Sequence, residues 1–503
     1  MKFSGKILLL LLCLSTVCKA QDKNQIPVYR NIYDLYGKKV GAATGSNQEN
    51  VLNKQHPDID IMRMDADIDM IHALRAKKCD AIVIDGHIFS YLSKEVKGMT
   101  ALEDPLFSAE IGFCFGKGEN VELREQLNAF LKQIKADGTY DEICNRWMKD
   151  SHNAVMPDIQ LPTEGKPLRA AISSANPPLV FYKDGKLVGF DMEIITRFAA
   201  SIGRPLVFSD MTFAGLIPSL VSGRQDIALA GINITEQRKE SVDFSDPYYI
   251  CHSIIVIRDE NLEGYVANNA KQEDRNFIEN LKNSFRRNII EEDRYLMILN
   301  GLKVTAFISL LSCLLGTILG ALICWMRMSR RKALHHTAGV YISLMRGTPI
   351  LVLLMIMFYV VFAGTHIDAI TVSIITFGLN FAAYVSEMFR SSIENVDKGQ
   401  TEAGIALGFT PAKTFYYIVM PQAFKQVLPI YKGELISLVK MTSIVGYIAV
   451  QDLTKVGDII RSRTFDAFFP LIMVAVLYFI LSWIFATLLD LIGKKQLNIY
   501  DRS

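Results

Sequence analysis

Four stretches of the chain, and its scattered cysteines, hold residue types that could do chemistry. Glu434 and Lys440 stand inside an apolar run, 428–450. Charge there is expensive unless it faces a partner or a water-lined path, so the two are candidates for a translocation path or for structural pairing between helices. Six residues apart, they do not share a helix face, and no mutual salt bridge is implied. Thr44-Gly45-Ser46-Asn47 reads as a helix N-cap, a place where backbone N–H groups and the helix dipole favour an anion. Asp85-Gly86 ends the buried run 80–84 and offers a carboxylate at a strand-ending turn. The stretch 398–422, KGQTEAGIALGFTPAKTFYYIVMPQ, is polar to amphipathic and lies between two strongly apolar runs, which predicts a helix–turn–helix at a membrane surface. Within it, Gly408, Lys413 and Thr414 superficially match a phosphate loop but lack its second glycine, so no nucleotide site is assigned. The eight cysteines (13, 18, 79, 114, 144, 251, 313, 324) form no CxxC pair, which argues against a metal site and for small buried core residues.

The elements around these residues divide the 503-residue chain in two. Half of the residues are hydrophobic and the net charge is only +2, which gives no reason to expect nucleic acid as a partner. The apolar residues concentrate after Leu299. At the start, Lys2 and Lys6 precede a short apolar run, 7–14, and Cys18-Lys19-Ala20 fits a cleavage site. This predicts a signal peptide over 1–20, too short for the roughly 20 apolar residues of a spanning helix.

From 21 to 258 strand and helix signals alternate, an α/β pattern with buried strands. Strands are predicted at 39–43, 80–84, 109–115, 168–172, 226–230 and 254–257, and helices at 65–78, 121–134, 192–201 and 215–222. Residues 151–165 carry Pro157 and Pro162 without apolar periodicity and read as a linker. The stretch 259–297 reads as a polar tether plus an amphipathic helix. Beyond it, five apolar runs are long enough to be candidate spans: 304–326, 350–363 (short unless extended by what precedes it), 369–389, 428–450 and 468–489. Basic residues cluster between runs one and two, between three and four, and in the tail, which places those segments in the cytoplasm and the N-terminal part outside. Lys455, Arg461 and Arg463 fall in the loop between runs four and five, which must then lie outside against the rule.

These motifs carry two resemblances. PPLVFYKDGKLVGFDMEI, FAGLIPSLVSGRQDIALAGINITEQRKESVDFSDPYY and IKADGTYDEICNRW resemble the periplasmic amino-acid-binding proteins, a two-lobed Venus flytrap, over nearly all of 33–258. The order differs from the family's: the second lobe with the family's C-terminal helix (21–150) precedes the first lobe (166–258), as in a circular permutant. The resemblance implies that Arg238 holds the ligand's carboxylate and Asp85 its ammonium, since a planar fork and a carboxylate suit those groups. It also implies that Ser46, Asn47, Gly231 and Asn233 line the pocket, that Phe213 covers the ligand's side chain, and that Asn176 stands where the family has an aromatic. Asn176, Asn47 and Asn233 together hint at a polar side chain.

The second half, 298–503, resembles the polar amino-acid permeases of ABC type I transporters. Arg346-Gly347-Thr348-Pro349, Tyr384…Glu387…Arg390 and GELISLVKMTSIVGYIAV carry the match. Glu402-Ala403-Gly404, Gly408 and Met420-Pro421 resemble that family's EAA loop, with Gly404 in place of the second alanine and Met420 in place of a leucine. The resemblance implies an all-α five-span domain in the inner membrane, contacting lipid, with Glu402, Ala403, Gly404, Gly408 and Pro421 docking a separate ATPase subunit that uses ATP and magnesium. It implies a homodimer of the membrane domain and no catalysis or cofactor in this chain. The joint reading is a receptor–permease fusion importing a polar amino acid. The alternative is a ligand-gated channel or sensor with a clamshell domain, and against it stands the EAA loop, which has no use in a channel.

Overall fold

The computed structural model describes residues 27–64, 66–94, 96–149, 151, 153–263, 277–363, 365, 367–464, 466 and 468–500. The expected signal peptide and residues 264–276 of the expected tether lie outside them.

The N-terminal half contains fourteen described strands: β1 (Lys39–Ala43), β2 (Asp60–Met64), β3 (Ala81–Asp85), β4 (Met99–Ala101), β5 (Phe107–Ile111), β6 (Cys114–Gly116), β7 (Leu168–Ile172), β8 (Ala175–Asn176), β9 (Val180–Lys183), β10 (Lys186–Val188), β11 (Leu206–Asp210), β12 (Ile227–Ala228), β13 (Val242–Phe244) and β14 (Tyr249–Arg258). They build two mixed sheets on one plan. The first runs β2-β1-β3-β14-β4, with β5 also on β14, and the second runs β11-β7-β12-β6-β13. In each, three parallel strands are followed by an antiparallel one. That antiparallel strand enters from the other sheet: β6 follows β5, and β14 follows β13. The chain therefore crosses between the sheets twice, at 112–113 and 245–248. The crossings hydrogen-bond to each other, Ser245 N–H to Phe113 O at 2.9 Å and Phe113 N–H to Ser245 Oγ at 3.0 Å. Two short strands joining two lobes make a hinge.

This crossing explains three departures from the predicted strands. Residues 109–115 divide into β5 and β6 because the chain changes sheet at Gly112, where a Cβ would lie 3.1 Å from Ile234 Cδ1. The strand expected at 254–257 lengthens to ten residues because Tyr249–Ser253 also pairs with β5. The strand expected at 226–230 stops at Ala228, since Ala230 (φ 149°) and Gly231 (φ 65°) leave the extended region.

Among the described residues, seven helices of six or more residues pack on these sheets: α1 (Asn47–Gln55), α2 (Asp67–Arg75), α3 (Gly86–Leu92), α4 (Val121–Ala136), α5 (Thr139–Cys144), α6 (Phe190–Ser201) and α7 (Leu216–Val221). In α4, Leu123, Leu127, Leu131 and Ile134 fall on one face by helical spacing and are all buried. They join the core beneath the sheet β11-β7-β12-β6-β13 with Trp147, Phe190 and Phe198. Buried Glu193 ties 144–149 to α6, accepting from Arg146, Arg197 and the Trp147 indole. The described cysteines are unpaired and mostly buried.

The C-terminal half is helical: α8 (Arg294–Arg327), α9 (Lys332–Gly347), α10 (Ile350–Ile356) continued by a π-turn to Val361, α11 (Ala369–Glu394), α12 (Lys398–Ala406), α13 (Pro411–Thr414), α14 (Met420–Met441), α15 (Leu453–Thr464) and α16 (Phe469–Tyr500). Among the described residues, three helices are long and apolar enough to cross a membrane, or up to five if two bent pairs each count as one span. The pair 332–347 with 350–361 bends by 106°, and 411–448 with 453–464 bends by 57°. Gly316 and Gly320 let α8 approach α11 closely, since a Cβ on either would lie 2.8 Å from atoms of α11.

Candidate functional site

All eight residues named for the binding pocket line one cavity between the lobes: Ser46, Asn47, Asp85, Asn176, Phe213, Gly231, Asn233 and Arg238. Gln48, Asp67 and Ser173 are among the other residues that line it. The backbone explains why they meet. Asp85 ends β3 and opens α3. Ser46 caps α1, its Oγ accepting from Glu49 N–H at 3.1 Å, so the capping signal in the sequence marks the cleft wall. Arg238 sits in a short helix whose cap is Thr235.

Arg238 spans the cleft. Its guanidinium donates to Asn233 O at 3.0 Å in its own lobe and to Gly45 O at 3.2 Å in the other, and it lies 5.5 Å from the centre of the Phe213 ring. Burial lowers its pKa from the usual guanidinium value, but a guanidinium keeps its charge at any physiological pH. From the opposite lobe, Asp85 Oδ1 accepts from Gln48 Nε2 at 2.6 Å and Ser253 Oγ at 2.7 Å. A fixed cation and an oriented carboxylate thus face one cavity.

The rest of the wall is held from behind. Asn176 Nδ2 donates to Ala230 O at 2.7 Å. The N–H of Gly231 donates to Asp191 Oδ2 at 3.1 Å, and Tyr248 donates to Asp191 Oδ1 at 2.8 Å. The Gly231 amide is therefore engaged within the fold. A Cβ at Gly231 would lie 2.5 Å from Leu179 Cδ1. Asp85, His87 and Cys251 bring three donor atoms within 4.8 Å of one another, but burial, then Asp85, pushes the Cys251 thiol far up, away from the thiolate that ligates metals.

Asp67 and Gln48 were missed in the sequence, where Asp67 is an ordinary acid at a helix start. The docking contacts between the two halves were missed as well. Arg224, only 8% exposed, donates to Phe358 O at 2.7 Å, Phe362 O at 2.8 Å and Ile367 O at 3.2 Å, with its guanidinium 3.8 Å from the centre of the Phe358 ring. It caps the carbonyl end of the α10 segment, where a cation is favoured. Lys455 pairs with Asp210 at 3.7 Å, Arg461 with Asp69 at 2.8 Å and Arg463 with Glu292. Hydrogen bonds to a charged group contribute about 1.5–3 kcal/mol each. Arg224→Ala is expected to raise hydrogen exchange at 357–367 by at least tenfold while ligand affinity stays within about threefold; unchanged exchange would remove the docking role.

In the membrane half, the motif pieces Arg346 and Tyr384 meet, guanidinium over ring at 5.0 Å, beside the Glu387–Arg390 pair at 2.7 Å. Glu434 is half-buried on α14 and Lys440 is exposed. The stretch 398–422 forms α12, a turn at Gly408 (φ 87°), and α13. Gly404 is the buried crossing point, where a Cβ would lie 2.6 Å from the Thr414 methyl, which accounts for glycine at that position. Glu402 and Ala403 are exposed. Leu407 (77% exposed), Phe409, Tyr416 and Tyr417 form an open apolar face around the turn, and Pro421 lies in the first turn of α14.

The family model for bacterial extracellular solute-binding proteins, family 3, matches residues 168–407, a span that begins at β7 and runs into the membrane helices. The probable amino-acid ABC transporter permease YckA of Bacillus subtilis is 37% identical over 199 residues, covering 39% of this chain and 88% of the relative. The L-cystine transport system permease TcyB of the same organism is 34% identical over 215 residues, covering 42% and 91%. A crystal structure described as an amino acid ABC transporter with histidines is 36% identical, covers 40% of this chain and 94% of its own, and gives a TM-score of 0.38.

Proposed function

We propose that this chain, which belongs to the family of amino-acid ABC transporter permeases and carries a solute-binding domain on the same polypeptide, imports a free polar amino acid through its own membrane half. The observation that carries the reading is the cleft, where Arg238 from one lobe and Asp85 from the other face one cavity. A free amino acid offers a carboxylate to the first and an ammonium to the second. Ser46, Asn47, Asn176, Phe213, Gly231 and Asn233 shape the remainder.

The binding domain reads as a circular permutant that closes within one chain. Two sheets of the same plan, each completed by a strand from the other stretch of sequence, support this. The domain lies outside the membrane, with the EAA loop and the C-terminus in the cytoplasm. The three basic residues between runs four and five, which contradict a simple charge rule, are each paired with an acid of the binding domain or of the segment before α8. That pairing offsets their charge on the outer side. A separate ABC ATPase subunit, using ATP and magnesium, docks on Glu402, Ala403, Gly404, Gly408 and Pro421. A second copy of the membrane half completes the pathway, with Glu434 and Lys440 along it, and the exposed apolar residues of α8 and α16 face lipid or that copy.

A thermal-shift screen of the full chain tests the reading. Stabilisation is expected with at least one free L-amino acid and not with its α-amide or N-acetyl derivative. No response to any of the twenty, or an equal response to the blocked forms, would overturn it.

A further inference from the structure

We infer that the cleft is built for an amino acid with a cationic side chain, and that Asp67 is the residue that selects it. The inference rests on the amino-acid-binding reading above and adds the class of side chain.

It starts from a count of charges. Among the described residues, the cavity is lined by one cation, Arg238, and two carboxylates, Asp85 and Asp67. A zwitterionic ligand brings one negative and one positive group. Its carboxylate satisfies Arg238 and its ammonium satisfies one of the two acids. The second acid is then enclosed without a counter-charge, a state that buried groups avoid by pairing or by taking up a proton. A ligand with a second cation closes the balance.

Asp67 is the acid left over. Asp85 already accepts from Gln48 and Ser253, which orients it within its lobe. Asp69, two residues beyond Asp67, is paired with Arg461 at 2.8 Å and lies outside the cleft's lining. Asp67 has no hydrogen bond or ion pair to any other described residue, and its side chain does not cap α2. Burial, then the charges of Asp85 and Asp69, push its carboxyl up to about 7, as expected of a carboxylate that lacks a cation.

A second observation points the same way. Asn233 lines the cavity, is only 4% exposed, and its Oδ1 has no hydrogen-bond partner. Together with Asp67 this leaves acceptors in surplus around the ligand, and an ammonium or guanidinium side chain supplies several donors. Space is available: Ala66, Ser173, Ala175 and Phe213 also line a second cavity of about 320 Å³ toward the membrane half.

The test is calorimetric titration of the full chain in nanodiscs at pH 8, with L-lysine, L-ornithine, L-arginine, L-glutamine, L-asparagine and L-alanine as probes. At least one cationic probe is expected to bind ten or more times tighter than every neutral one. Asp67→Asn is expected to abolish that preference, and Asp67→Glu is expected to restore part of it. If a neutral probe binds tightest, or if Asp67→Asn leaves the ratio unchanged, the inference falls while the amino-acid reading stands. If no probe binds and none of the twenty amino acids stabilises the chain, both fall. Should Asp67→Asn not fold, the ranking on the unmodified chain decides alone.

Discussion

Replacing Arg238 with alanine is expected to weaken amino-acid binding by about a thousandfold, roughly 4 kcal/mol. The size follows from what the substitution leaves behind. The ligand's carboxylate would enter a cleft stripped of the cation that faces it, and an unpaired buried charge costs far more than the pair had contributed. Arg238 also donates to Gly45 O across the cleft, so its loss removes a tie between the lobes. Arg238→Lys separates the two effects. A lysine keeps the charge but loses the planar fork, and an intermediate loss of about 10- to 100-fold is expected. Asp85→Ala is expected to cost about a hundredfold, by removing the ammonium's partner and leaving Gln48 and Ser253 without an acceptor. Calorimetry on the full chain reads all three, and the ligand-induced rise in melting temperature should shrink in the same order. Full affinity in Arg238→Ala would mean that the cleft is not the binding site.

At the other end of the molecule, Leu407→Asp and Gly408→Val are expected to leave ligand binding unchanged and to reduce ligand-stimulated ATP hydrolysis by at least tenfold. Leu407 is the most exposed residue of the apolar face on the expected coupling loop. Burying a leucine side chain against a partner contributes about 1.5–3 kcal/mol, and placing a carboxylate there reverses the sign. Gly408 has a φ of 87° at the turn between α12 and α13, where a β-branched residue is strained by about 1–3 kcal/mol and would re-aim the second helix. Co-purification of the ATPase subunit together with its hydrolysis rate checks both. Transport at full rate in both variants would mean that the loop is not the coupling element.

Much of the fold was legible because its signals are local. Strands 39–43 and 168–172 and the cap at Ser46 are written in short apolar runs and in one hydroxyl at a helix start. The candidate binding residues were legible for another reason. Arg238, Asp85 and Asn233 sit inside motifs with a family pattern, and the structure gathers them although Asp85 and Arg238 are far apart in sequence. The crossings were not legible. Residues 109–115 read as one strand, since nothing local tells a chain to change sheets at Gly112. Arg224 was invisible because its partners are main-chain carbonyls of Phe358, Phe362 and Ile367, which carry no side-chain signature. Lys455, Arg461 and Arg463 looked like a topological conflict because their acidic partners Asp210, Asp69 and Glu292 are distant in sequence. Asp67 was passed over as a helix-start acid, a role that many exposed aspartates fill.

One measurement bears most directly on the coupling of this cleft to this membrane half. The full chain is reconstituted into proteoliposomes with its co-purifying ABC ATPase subunit, and uptake of the amino acid found in the screen is followed with and without ATP. Uptake is expected only when ATP and the ATPase subunit are both present, and it is expected to fall to background in Arg238→Ala. Uptake or an ion current driven by the ligand without the ATPase subunit, or full uptake in Arg238→Ala, would contradict it.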